Sequence, residues 1–157
     1  MTRDDFSVRV KENEKKLYLY ALSVVRNTED AKDAVAEAVA YAWEKLSSLK
    51  NEDSFDVWLL KITQREAVEL KKKRRAYVDV DELSDAFSYE TDTSDLEFLD
   101  ILCRAGLDKK TNVILTMRFM YGYTLEETAD KTGIPLSTVK TKYYRALDKL
   151  SKILKPD

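Results

Sequence analysis

Histidine is absent from the 157 residues, and the chain has one cysteine, two prolines and three glycines. Each shortage excludes something. Without histidine the commonest general base and metal ligand is missing. The lone Cys103 cannot close an internal disulfide, and in the apolar stretch FLDILC it reads as a core thiol of a cytoplasmic protein. The glycines are isolated at 106, 122 and 133, so no glycine-rich phosphate loop exists. No apolar run approaches the roughly 20 residues that span a membrane. The opening residues, MTRDDFSVRV, hold no apolar signal-peptide core. Carboxylates are plentiful, yet no pair is marked as acid and base. The expectation is a soluble, mostly helical chain that is not an enzyme and carries no cofactor or metal.

What is there is charge, at 36% of residues, and it is segregated. Residues 1–76 hold 16 Lys/Arg and 14 Asp/Glu, a net of +2. Residues 77–103 hold nine acids and no cation. From Arg104 onward there are 11 cations and six acids, a net of +5. The formal total of −2 therefore hides two basic ends around an acidic middle. The middle, VDVDELSDAFSYETDTSD, lacks long helical periodicity and reads as a linker. The predicted architecture is all-α: a helical domain over 1–76, an acidic linker over 77–94, and a second, four-helix domain over 95–157.

The most informative stretch is TLEETADKTGIPLSTVKTKYYRALDKL, residues 124–150. It has the form of a helix-turn-helix, whose second helix can enter the DNA major groove. Thr124 can cap the first helix, with Glu127 completing a capping box. Gly133 suits a left-handed helix end and Pro135 cannot continue the helix. Ser137 or Thr138 can cap the second helix, which runs to about Leu154. At about 100° per residue, Val139, Tyr143, Ala146, Leu147, Leu150, Ile153 and Leu154 share an arc of roughly 120° that packs. Ser137, Lys140, Thr141, Tyr144, Arg145 and Lys152 fall opposite and include donors for phosphates and base edges.

The first domain reads as three or four helices. Residues 6–25 supply the first one or two, with Phe6, Val10, Leu17, Ala21 and Val24 on one side. Thr28 can cap the next, over 29–46, whose buried stripe is Ala31, Val35, Ala38, Val39, Ala42, Trp43 and Leu46. Asp30, Asp33, Glu37 and Glu44 lie mostly away from that stripe. A polar loop, SSLKNEDS, covers 47–54. The last helix covers 55–75, with Trp58, Leu59, Ile62, Glu66 or Ala67, and Leu70 inward. It ends in the cations KKKRR, which suit either the helix macrodipole or phosphate contact.

These parts resemble the extracytoplasmic-function group of bacterial sigma factors, in the sigma-70 superfamily. TEDAKDAVAEAVAYAWEKL (28–46) is similar to the family's polymerase-binding helix, with Asp30, Asp33, Glu37 and Trp43 on its acidic and aromatic positions. SFDVWLLKITQREAVELKKKRR (54–75) resembles the helix that reads the minus-ten element. Residues 107–150 resemble the domain that reads the minus-thirty-five element.

The resemblance implies a protein that binds core RNA polymerase and directs promoter recognition. Asp30, Asp33 and Glu37 would contact polymerase. Trp58, Lys61, Gln64, Arg65, Lys72 and Arg74 would contact minus-ten DNA, including its single strand. Ser137, Thr138, Lys140, Thr141, Lys142, Tyr144 and Arg145 would contact minus-thirty-five duplex. The loop over 47–54 would hold an extruded base, the linker would lie in the RNA-exit path, and an anti-sigma factor is a further partner the family allows.

The chain departs from the family's pattern at several positions. Ala36 replaces a usual Gln, and Ala40 a large apolar residue. Arg65 and Glu69 stand where Asn and Asp are common, and Leu70 where an aromatic often precedes the basic run. Two other classes stay open: a helix-turn-helix regulator that needs no polymerase, and a sigma-like polymerase-binding protein that does not open promoters. The match over 28–46 argues against the first. Residues 36, 65 and 69 leave room for the second.

Overall fold

Seven α-helices and no strand make up the described residues, 1–73 and 93–154, of the computed structural model. Two compact units divide the chain, residues 1–91 and 92–157. The acidic stretch read as a linker lies outside the described residues as far as 92. Its last two positions, 93 and 94, instead open a helix.

In the first unit, α1 (Arg3–Val25), α2 (Thr28–Glu44) and α3 (Phe55–Lys73) pack against one another in every pairing. A capping box starts α1. Thr2 Oγ1 accepts the Asp5 N–H, and the Asp5 carboxylate accepts the Thr2 N–H, both at 3.1 Å. The first helix is single and unbroken. Its second half, Leu17 to Val25, is buried on all sides rather than along one stripe. Arg26 ends it in the left-handed region at φ 53°.

The cap of α2 is Asn27, not Thr28. Asn27 Oδ1 accepts the Asp30 N–H at 2.9 Å, and Thr28 is the first helical residue. Its buried stripe is alanine-rich, comprising Ala31, Ala34, Val35, Ala38 and Ala42, which lets the neighbouring helices come close. Trp43, expected inside, is 46% exposed. The helix ends at Glu44, and two short 3-10 turns, Leu46–Ser48 and Glu52–Ser54, occupy the segment expected to be a polar loop. In α3 the inward positions are Phe55, Val57, Leu59, Leu60, Ile62, Thr63 and Ala67, which settles the choice between Glu66 and Ala67. Trp58 and Leu70 are half-buried.

The second unit contains α4 (Thr93–Ala105), α5 (Lys109–Phe119), α6 (Leu125–Thr132) and α7 (Leu136–Leu154). Its core gathers Leu102 and Ala105 from α4, Ile114 and Leu115 from α5, and Val139, Tyr143, Ala146 and Leu150 from α7. Burying a side chain such as Leu115 contributes about 1.5–3 kcal/mol. Cys103 is buried here as a thiol. Leu147 and Ile153 lie partly buried against the same core. Leu154, placed by arithmetic in the packing arc, is 58% exposed.

Candidate nucleic-acid interface

The geometry of the helix-turn-helix is set by local chemistry. Thr124 Oγ1 accepts the Glu127 N–H at 3.0 Å, and the Glu127 carboxylate accepts the Thr124 N–H at 3.0 Å. That backbone hydrogen bond, followed by the one from the Thr124 hydroxyl, holds the Glu127 carboxyl below its ordinary range. Within α6 the hydroxyls form a ladder. Thr128 donates to the Thr124 carbonyl at 2.8 Å and Thr132 to the Thr128 carbonyl at 2.6 Å. Thr132 Oγ1 then accepts the Ile134 N–H at 3.2 Å, fastening the turn. Gly133, at φ 77°, takes the left-handed position that a side chain would strain.

The second helix starts earlier than expected. It opens at Leu136, and the Val139 N–H donates to the Pro135 carbonyl at 3.0 Å. Ser137 and Thr138 therefore sit in the first turn and neither caps it. Ser137, Lys140, Thr141, Tyr144 and Arg145 are exposed along one side, opposite Val139, Tyr143, Ala146 and Leu150. Tyr144 is 59% exposed and stands edge-on to the Tyr143 ring at 5.2 Å. Thr141 donates its hydroxyl to the Ser137 carbonyl at 2.9 Å, so its oxygen is left as an acceptor. Lys140 and Arg145 have no ion pair or side-chain hydrogen bond among the described residues. Each is thus a charge presented to solvent on a fixed frame.

Two of the expected contacts stand apart from this set. Thr138 is half-buried. Lys142 pairs with Asp108, Nζ to Oδ2 at 3.4 Å. Asp108 is also the cap of α5, its Oδ1 accepting the Thr111 N–H at 2.8 Å. Burial pushes the Asp108 carboxyl up, but the Thr111 hydrogen bonds and the Lys142 charge outweigh it and hold the group below its ordinary value.

In the first unit the expected polymerase contacts separate. Asp33 and Glu37 are exposed on α2. Asp30 is only 1% exposed, because the unit closes over the first turn of α2, so it does not join them at the surface. Asp33 and Glu37 instead face Glu66, Glu69 and Lys73 of α3 across a groove of about 460 Å³, floored by Ala36 and Leu70. A second groove, about 500 Å³, lies between α1 and α2 and is lined by Val10, Tyr18, Val35, Ala36, Val39 and Ala40.

Along α3, Trp58 is half-buried against Phe55, with ring centroids 5.9 Å apart. Lys61 is exposed, with partial burial lowering its ammonium below the usual range, and Gln64 is half-buried. Arg65 lies over the Tyr41 ring at 4.1 Å and pairs with Glu66 at 3.5 Å. Lys72 pairs with Glu69 at 3.6 Å. Arg74 lies outside the described residues.

Sequence reasoning missed Arg9. Its Nη1 donates to the Glu52 carbonyl at 2.8 Å and its guanidinium lies 4.9 Å from the Phe55 ring centroid. Asn13 helps by donating to Asp56 at 2.8 Å. Together they tie the segment between α2 and α3 to α1. Nothing within a few residues of Arg9 signals this, since Glu52 is 43 positions away. Among the described residues no group of three or more His, Cys, Asp or Glu is placed to hold a metal ion, and no helix is long and apolar enough to cross a membrane.

Residues 9–77 match the family model for Sigma-70 region 2, and residues 102–150 that for Sigma-70, region 4. The chain is 33% identical over 150 residues to the RNA polymerase sigma factor SigV of Bacillus subtilis, covering 92% of this chain and 87% of that one. It is 24% identical over 151 residues to the ECF RNA polymerase sigma factor SigM of Mycobacterium tuberculosis, covering 95% and 76%. Its fold is similar to that of the sigma factor RpoE of Bartonella quintana, solved with the anti-sigma factor NepR. The TM-score is 0.70 at 22% identity, over 98% of each chain.

Proposed function

The chain belongs to the sigma-70 family of RNA polymerase sigma factors, in its extracytoplasmic-function group, and on that premise we propose how its residues divide the work. It binds core RNA polymerase and directs promoter recognition. The second unit places α7 in the major groove of the minus-thirty-five element. There Ser137, Thr141 and Tyr144 approach base edges or the backbone, Lys140 a phosphate, and Arg145 a guanine through a two-pronged hydrogen bond. The observation that carries this reading is the division of α7 into a packed side and an exposed side on which Lys140 and Arg145 meet no acid among the described residues.

In the first unit, Asp33 and Glu37 dock on polymerase, with buried Asp30 shaping the start of α2 rather than touching the partner. Trp58, Lys61, Gln64 and the cations at the end of α3 meet minus-ten DNA. The segment over 47–54, held by Arg9, receives a base of the displaced strand. Extruding that base costs a few kcal/mol, which pocket contacts must offset. The protein works in the cytoplasm, as a transcription-initiation subunit and not an enzyme, and an anti-sigma factor is the class of protein that competes for its surfaces.

Run-off transcription with core polymerase and a promoter library tests the proposal. Wild type is expected to select a minus-thirty-five sequence, and Arg145→Ala to relax that preference at one position. Loss of transcription on reversing charge at Asp33 and Glu37, with helicity retained, supports the docking role. No transcript from any promoter would overturn it.

A further inference from the structure

Lys142 is the one cation of α7's middle turns whose charge is already answered within the unit. The two oxygens of Asp108 do separate jobs. Oδ1 caps α5 by accepting the Thr111 N–H, and Oδ2 takes the Lys142 ammonium. The pair joins positions 34 residues apart, so it is a tertiary link between the start of α5 and the flank of α7. Lys142 lies three residues before Arg145, hence on the same flank of the helix. A lysine there, if free, would reach for the DNA backbone beside Arg145.

We infer that Asp108 is a positioning residue that acts as an internal stand-in for a phosphate: it withholds Lys142 from the DNA backbone and so limits how tightly α7 binds DNA of any sequence. Phosphate contacts carry no sequence information and raise affinity for all DNA alike. Holding one back weakens random binding without touching the base contacts. The inference rests on the reading of α7 as the DNA-reading helix.

Asp108→Asn separates the two jobs. The asparagine oxygen still caps α5, while its amide cannot hold an ammonium. The full chain is titrated with random and promoter duplex over a range of salt, and the holoenzyme with promoter duplex. Asp108→Asn is expected to tighten random and promoter DNA by the same factor and to steepen the log–log salt slope by about 0.9. Lys142→Gln alone is expected to leave the slope unchanged, and the double variant to return it to the wild-type value. Asp108→Glu, which keeps the charge but caps less well, is expected to keep the wild-type salt slope. Circular dichroism melting of Asp108→Asn reports that the cap survives.

Two results overturn the inference: a slope unmoved by Asp108→Asn, or one flattened by about 0.9 on Lys142→Gln in the wild-type background, which would mean the ammonium already serves a phosphate. Arg145→Ala on the same duplexes tells the two failures apart. If it changes neither affinity nor base preference, the reading of α7 fails. If it does and Asp108→Asn does not, only the role of Asp108 fails.

Discussion

In α3 the guanidinium of Arg65 lies on the Tyr41 ring and beside Glu66, and Lys72 is paired with Glu69. In α7 the guanidinium of Arg145 and the ammonium of Lys140 meet no acid among the described residues. Both helices carry cations on an exposed side and both hold some of them in pairs, Lys142 with Asp108 and Lys152 with Asp148 in α7, yet α7 leaves Lys140 and Arg145 open on its outward side. A paired cation must give up its partner before it meets a phosphate, which lowers its contribution to DNA binding by the worth of an exposed pair, about 0–1 kcal/mol. An unpaired one on a rigid helix gives up little. Duplex affinity is therefore expected to come mainly from the second unit, while the first offers a half-buried tryptophan, grooves beside α2, and a tethered segment at 47–54.

Leu115 tests whether the two units fold independently. Leu115→Ala empties a fully buried position of the second core and should cost about 2–5 kcal/mol. Hydrogen exchange is expected to lose protection across α4–α7 while α1–α3 keep theirs. A joint loss would make the two units one cooperative body, and contrasting their surfaces would lose its basis.

Next in size is the contrast between the two arginines. Arg145→Ala should cost about 1–3 kcal/mol of discrimination at one base position, seen in binding to a minus-thirty-five library. Arg65→Ala should leave that library unchanged and instead lower thermal stability by about 0.5–1 kcal/mol, the worth of an exposed cation–π contact. Equal effects on promoter selectivity would erase the difference between paired and open charges.

A smaller effect sharpens where the helices begin. Thr124→Ala removes the hydroxyl that accepts the Glu127 N–H, leaving only the backbone half of the capping box, and should cost about 1 kcal/mol in a urea titration. Ser137→Ala, within the first turn of α7, should cost little stability while weakening DNA binding. Comparable losses in stability from both would move the start of α7 to Ser137.

The smallest effect is one of pH. The Glu127 carboxyl is held below its ordinary value of 4.5. Its contribution is thus complete above pH 4.5 and fades as pH falls through the lower native value. Glu127→Gln should flatten the dependence of melting temperature on pH below 4.5 relative to wild type. Identical acid profiles would show that this carboxylate gains nothing from the cap.

Much of the second unit was legible because its signals are local. A capping box spans three residues, a left-handed helix end needs one glycine, and the two sides of α7 follow from about 100° per residue. Locality also explains the near misses. Asn27 and Thr28 are both competent caps one position apart, and the backbone chose the first. Ser137 and Thr138 look like caps, but the Pro135 carbonyl had already begun the helix.

What the amino-acid sequence determined by itself was the all-helical class, the basic ends around an acidic middle, the helix-turn-helix and its outward side, and the family likeness that all of these carry. The tertiary structure alone decided which of those side chains are at liberty. Asp30 looked like surface and is buried, and Trp43 looked like core and is half exposed. Lys142 looked like a phosphate contact and is held by Asp108, while Arg65 is held by Tyr41. The reason is distance along the chain. Helix starts, ends and faces depend on neighbours within about four residues. A pair such as Lys72 with Glu69 follows from helical spacing, whereas the partners that hold Arg65, Lys142 and Arg9 are 24 to 43 positions away and are brought alongside only by packing.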